Sequence, residues 1–138
     1  MTGKKILLLI VALFCPDLQA NTTGSWQKES AGGLLSVGRQ SMRGNVLEAP
    51  ASVPLQASAT RIYWQVALLS PPPAGLKIQL CYSGGCEKLY GLSGQFTPKS
   101  RWPADESYYF VYSVNAIGQL RPPLRVLRNS LTMNYKVN

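Results

Sequence analysis

The stretch from Pro71 to Tyr90 limits the fold more than any other part of the chain. Three consecutive prolines, Pro71 to Pro73, exclude both helix and a paired strand, so Ser70 to Gly75 reads as a stiff extended connector that crosses from one sheet to another. Beyond it, Leu76, Ile78 and Leu80 alternate with Lys77, Gln79 and Cys81, the period of a strand with one buried face, and Gly84-Gly85 allows a tight reversal. The segment is predicted to be a β-hairpin. With Ser83 and Gly84 as a two-residue loop, Cys81 falls opposite Cys86 in a non-hydrogen-bonded pair, whose Cα atoms approach to about 4.5 Å, inside the roughly 4.4 to 6.8 Å that a disulfide requires. A four-residue loop from Tyr82 to Gly85 also brings the cysteines together, so the expected Cys81–Cys86 disulfide does not depend on the turn type. The closed loop is short, and chain entropy gives the bridge only about 2 kcal/mol. It pins register more than it holds the fold.

A disulfide needs an oxidising compartment, and the N-terminus independently points to one. Lys4 and Lys5 precede an apolar run from Ile6 to Phe14, and Leu18-Gln19-Ala20 ends on a small residue, the pattern of a secretory signal peptide cleaved after Ala20. The apolar run is far short of the roughly 20 residues that span a bilayer as a helix, so no membrane-spanning anchor is expected. Phe14 stands where a lipoprotein signal places a small residue before its cysteine, which argues against lipidation. The mature chain would run over residues 21–138, which is 138 − 20 = 118 residues, one domain in a periplasmic or otherwise extracytoplasmic setting. It would keep two cysteines. With no histidine in the chain, two sulfurs separated by four intervening residues cannot complete a tetrahedral zinc site, and no metal or cofactor is expected.

The chain carries 14 Lys and Arg against 6 Asp and Glu, a net +8. Removing Lys4, Lys5 and Asp17 leaves 12 against 5, or +7. For an exported chain this charge points to acidic protein surfaces, anionic lipid headgroups or cell-wall polymers rather than nucleic acid; solubility alone is the plain alternative. A homo-oligomer is allowed by the same inventory.

Period-two alternation recurs along the chain. Thr60 to Leu69 reads as a central strand with Ile62, Trp64, Val66 and Leu68 on one face. Tyr108 to Val114 reads as another, with Tyr108, Phe110, Tyr112 and Val114 on one side. Ser25 to Glu29 is predicted to be a short edge strand carrying Trp26, Gly32-Gly33 to reset the chain, and Leu34 to Arg39 to form a weak strand. Ser41 to Ala59 reads as a long loop with at most one short strand, and Gly91 to Ala104 as loop. In the last stretch the apolar phase runs through Leu124 and Val126, then through Leu127, Leu131, Met133 and Tyr135. That one-residue slip predicts a β-bulge or strand break near Val126-Leu127. About seven short strands, with Pro and Gly at the joints and no helical periodicity beyond the leader, point to an antiparallel β-sandwich.

Catalytic chemistry has little to stand on. Without histidine, nucleophile triads built on imidazole are excluded, and the only adjacent carboxylates, Asp105 and Glu106, are poorly placed to act as an acid/base pair. No enzyme activity is expected. Two basic groups are the candidate contact residues: Arg121, Arg125 and Arg128 beside the phase slip, and the basic-aromatic cluster of Lys99, Arg101 and Trp102, which suits an anionic partner by charge and cation-π contact; the plain alternative for the second, and the favoured one, is a solvated loop with one tucked-in indole.

Several segments resemble a known family. Gly24-Ser25-Trp26-Gln27, then Pro72 to Cys81 with Cys86 following, then Gly91-Leu92-Ser93-Gly94, and finally Leu124 to Ser130 leading to Asn134-Tyr135, are similar to the flagellar protein FlhE family; Ser41 to Ala59 matches only loosely. The resemblance implies a periplasmic flagellar accessory protein that acts at the flagellar export apparatus or rod, limits proton leakage, supports swarming motility and serves as a chaperone or a plug. It brings no catalytic motif. The alternative is a periplasmic cell-wall or glycan-binding β-module, which would present Tyr82, Tyr109 and Trp102 as exposed coplanar rings.

Overall fold

Residues 22–137 are described by a computed structural model; the expected leader over residues 1–20 lies outside the described residues. The chain forms nine strands: β1 (Thr22–Val37), β2 (Ser41–Arg43), β3 (Leu47–Glu48), β4 (Ser58–Leu68), β5 (Leu76–Tyr82), β6 (Gly85–Leu89), β7 (Ser93–Phe96), β8 (Ser107–Val114) and β9 (Gln119–Val137). One sheet has the order β1-β9-β4-β7, the other β2-β8-β5-β6, with β3 also pairing on β8. Neighbouring strands are antiparallel throughout.

The alternation read from the sequence decides which faces meet. On β4, Ile62, Trp64 and Val66 are buried while Arg61, Tyr63 and Gln65 are exposed; on β8, Tyr108, Phe110, Tyr112 and Val114 are buried. These two faces, with Leu124, Val126, Leu131 and Met133 of β9 and Ile78 and Leu80 of β5, fill the space between the sheets. The large polar-tipped rings reach partners inside it: Trp26 Nε1 donates to the carbonyl of Ala104 at 2.9 Å, Trp64 Nε1 to that of Gly91 at 3.2 Å, and the Tyr108 hydroxyl to that of Pro103. Burial of these aromatics is therefore not offset by an orphaned donor.

The hairpin takes its two-residue form. Tyr82 pairs with Gly85, Cys81 pairs with Cys86, and the two sulfurs are bonded with their Cα atoms 4.0 Å apart. Pro71 to Pro73 carry the chain from β4 in the first sheet to β5 in the second. The phase slip in the last stretch is a β-bulge within an unbroken β9: Ala67 of β4 opposes Arg128, and Leu68 opposes Val126, leaving Leu127 as the extra residue.

Three expectations need correction. There are nine strands rather than about seven: residues 41–59, expected to hold at most one short strand, hold two, β2 and β3, and residues 91–104, read as loop, hold β7. Strand β7 lacks apolar alternation because Gly94 faces the Trp64 ring across the pair, where a Cβ would lie 2.5 Å from the indole. Finally, Gly32-Gly33 does not reset the chain, since β1 passes straight through it. A Cβ at Gly32 would sit 2.2 Å from Cγ1 of Val126, so that glycine marks a close strand approach, not a turn.

Candidate docking face

Strand β9 lies between β1 and β4 in the first sheet and carries Arg121, Arg125 and Arg128. On a regular strand, residues four apart share a face and residues three apart do not. Arg128 would then turn inward, opposite to Arg125. The bulge at Leu127 reverses this: Val126 and Asn129 are buried, both residues between them are exposed, and Arg125 and Arg128 emerge on the outer face of the sheet; Arg121 is also exposed but lies beyond a register break between Gln119 and Leu124. The sequence signal that located the bulge is thus also what groups the charges.

The bulge is anchored from beneath by Asn129, the one fully buried polar residue among the described residues. Its Oδ1 accepts from the Tyr112 hydroxyl of β8 at 2.6 Å, and its Nδ2 donates to Ser30 Oγ of β1 at 2.6 Å and, more weakly, to the Ser30 carbonyl at 3.4 Å. Ser30 Oγ in turn donates to the carbonyl of Asn45, in the loop after β2, at 3.0 Å. This relay joins the two sheets, and no buried side-chain polar atom among the described residues lacks a partner, the condition under which a buried polar network stabilises rather than costs. Burial pushes the Tyr112 phenol well above its ordinary pKa, so it stays a proton donor.

Charge on this sheet is one-sided. Its four strands contain a single carboxylate, Glu29, against Lys28, Arg61, Arg121, Arg125, Arg128 and Lys136. Glu29 Oε2 pairs with Arg128 Nε at 3.1 Å, the only ion pair among the described residues. Arg61 donates to Gln95 Oε1 at 3.2 Å and Arg121 to Gln119 Oε1 at 3.4 Å. Arg125 is flanked instead by leucines: Leu34 is its register partner on β1, and the amide of Leu69 donates to its carbonyl at 3.0 Å. Leu34, Leu69 and Leu127 are 50%, 61% and 49% exposed. These leucines did not figure among the sequence candidates. Their signal was available: Leu69 extends β4's alternation into its wrong phase, and Leu127 is the surplus residue at the slip.

The second candidate group is not brought together. Trp102 is only 6% exposed, its ring 5.0 Å from that of Tyr82 and 5.7 Å from those of Phe96 and Tyr108. Its indole therefore packs the end of the core and does not join Lys99 and Arg101, which stay at the surface, with Arg101 donating to the carbonyl of Gln56 at 3.1 Å. The same packing removes the coplanar platform of the glycan-binding alternative. Tyr82 is tilted by 57° against Trp102, and Tyr109 on the second sheet lies under the Arg43 guanidinium at 3.9 Å. Cys81 and Cys86 are joined to each other, and among the described residues no three His, Cys, Asp or Glu side chains gather where they could hold a metal.

Fold and surface together define a disulfide-clamped antiparallel β-sandwich whose first sheet turns a basic face outward. Comparison with known proteins narrows this class to a family. The family model described as "Flagellar protein FlhE" matches residues 32–136. The chain is 37% identical to the flagellar protein FlhE of Escherichia coli K12 over 131 residues, 94% of this chain and 98% of that one. It is 34% identical to the flagellar protein FlhE of Salmonella typhimurium over 93% of this chain and 97% of that one. A crystal structure of FlhE superposes with a TM-score of 0.76 at 33% identity, covering 83% of this chain and 98% of that chain. This chain belongs to the FlhE family of flagellar proteins. A serine protease of Aeromonas sobria shares the fold alone, with a TM-score of 0.63 at 10% identity over 83% of this chain and 27% of the protease.

Proposed function

We propose that this chain is a non-enzymatic flagellar accessory protein of the periplasm that docks through the outer face of its first sheet on the flagellar export apparatus or rod, limits proton leakage there and supports swarming. Cleavage after Ala20 leaves residues 21–138 as a single exported domain. Family membership supplies the flagellar setting; the observation that carries the docking surface is the bulge at Leu127, which gathers Arg125 and Arg128 on one face of a sheet whose strands contain a single carboxylate, with Arg121 exposed nearer the start of the same strand. A sheet face of this kind steers and orients an acidic partner. The test is reversal of the three arginines to glutamate in flagellated cells, with circular dichroism confirming the fold. Loss of normal swarming and a rise in cytoplasmic acidification during flagellar export are expected. Unchanged swarming together with unchanged proton leakage would reject this face.

A further inference from the structure

The row Leu34–Arg125–Leu69 runs across β1, β9 and the residue that follows β4, and is continued along β9 by Leu127. All four residues face outward, and an exposed apolar group of this size around one cation is unusual on a sheet that is otherwise polar on that side. Resting on the docking reading above, we infer that this row binds an extended protein segment whose carboxylates and apolar side chains lie on one edge. Three features select that occupant. Arg125 and Leu127 stand two residues apart on the outer face of β9, about 7 Å from each other, with Leu34 and Leu69 to either side of Arg125. An extended chain lying over them matches this order with an acid and an apolar residue at alternate positions. The only carboxylate of the sheet is already engaged by Arg128, so Arg125 takes its counter-charge from outside. Where the row lies, β9 is already paired with β1 on one side and β4 on the other, so the partner is read by side chains over the sheet face and not by adding a strand.

A second copy of this chain is a poor occupant, because the same face would bring arginine against arginine. An anionic membrane is poorer still: Leu34 and Leu127 are half covered by their neighbours, a flat apolar floor rather than side chains that enter an acyl layer.

The experiment uses the purified, oxidised mature protein and fluorescein-labelled decapeptides read by anisotropy. The probe carries Asp and Leu alternating at every second position with Ser between them. One control replaces Asp by Asn, one replaces Leu by Ser, and one moves Leu to the intervening positions so that acids and leucines face opposite sides. Only the probe should bind. Arg125→Glu should weaken it about tenfold and Leu127→Ser about fivefold, with raised salt reducing but not abolishing binding. Equal binding of either composition control, equal binding of the opposite-face control, or no binding of the probe overturns the inference. So does co-sedimentation with phosphatidylglycerol vesicles that depends on Arg125 and Leu127 and outcompetes the probe. Failure here with intact loss of swarming in the arginine reversals would discard the acid-and-leucine partner while leaving the docking face in place.

Discussion

Two clamps hold this sandwich, and they work at opposite ranges of the chain. The Cys81–Cys86 disulfide closes a hairpin between residues five apart and within one sheet. The Asn129 relay joins Tyr112 on β8, Ser30 on β1 and the loop at Asn45, so it ties both sheets and residues 99 apart in sequence. A covalent bond across a short loop removes little entropy from the unfolded chain. A buried amide with every partner in place is worth more, because losing it strands several groups away from water. The weaker bonds are therefore the more important clamp.

The most damaging single change should be Asn129→Ala, which orphans the Tyr112 hydroxyl and frees Ser30. A loss of about 3 kcal/mol is expected in urea unfolding. The double variant Asn129→Leu with Tyr112→Phe should recover part of it, since removing both partners leaves no buried group unsatisfied. If Asn129→Ala costs under about 1 kcal/mol, the comparison between the clamps is reversed. Replacing both cysteines by alanine should cost less, about 2 kcal/mol, and reductant should shift the unreplaced protein by a similar amount.

Alkaline titration separates the clamps further. Burial raises the Tyr112 phenol above its ordinary value; burial first, then the nearby Tyr82 and the carboxylates of Glu106 and Asp105, raise Tyr108 as well. In the unfolded chain both ionise near pH 10. Above that pH the unfolded state binds fewer protons than the folded one, so stability is fully present below it and falls as pH rises, by about 1 kcal/mol per pH unit for each tyrosine. Unfolding midpoints that stay level through pH 11 would mean that the two phenols ionise in the folded state too. The smallest effect should come from Arg128→Ala, which removes an ion pair between side chains more than half exposed; a change under about 1 kcal/mol is expected.

The short-range clamp was legible in the sequence and the long-range one was not. Alternation around Leu76 to Leu80 and the Gly84-Gly85 reversal place Cys81 against Cys86 by local rules alone, and the same rules found β4, β8 and the bulge. Asn129 looks like any polar residue between Arg128 and Ser130, because its burial depends on a strand nearly a hundred residues earlier. Trp102 shows the same limit: between Arg101 and Pro103 local rules allow either an exposed ring or a tucked-in one, and only the arrival of β5 and β8 decides for the second. Gly32 and Gly94 carry a subtler lesson. Each resembles strand punctuation, but Val126 and Trp64 need the space where a Cβ would be.

The pairing of β1 with β9 places the first and last described residues, Thr22 and Val137, side by side. The final strand is also the middle one of its sheet, so neither β1 nor β4 finds its main neighbour until the C-terminal segment arrives. Assembly is thus governed by the slowest, most distant contact. If the chain is exported as proposed, it emerges with its two earlier strands unmatched and closes only when the tail has been delivered. Removing the last dozen or so residues would not trim an edge but empty the centre of a layer.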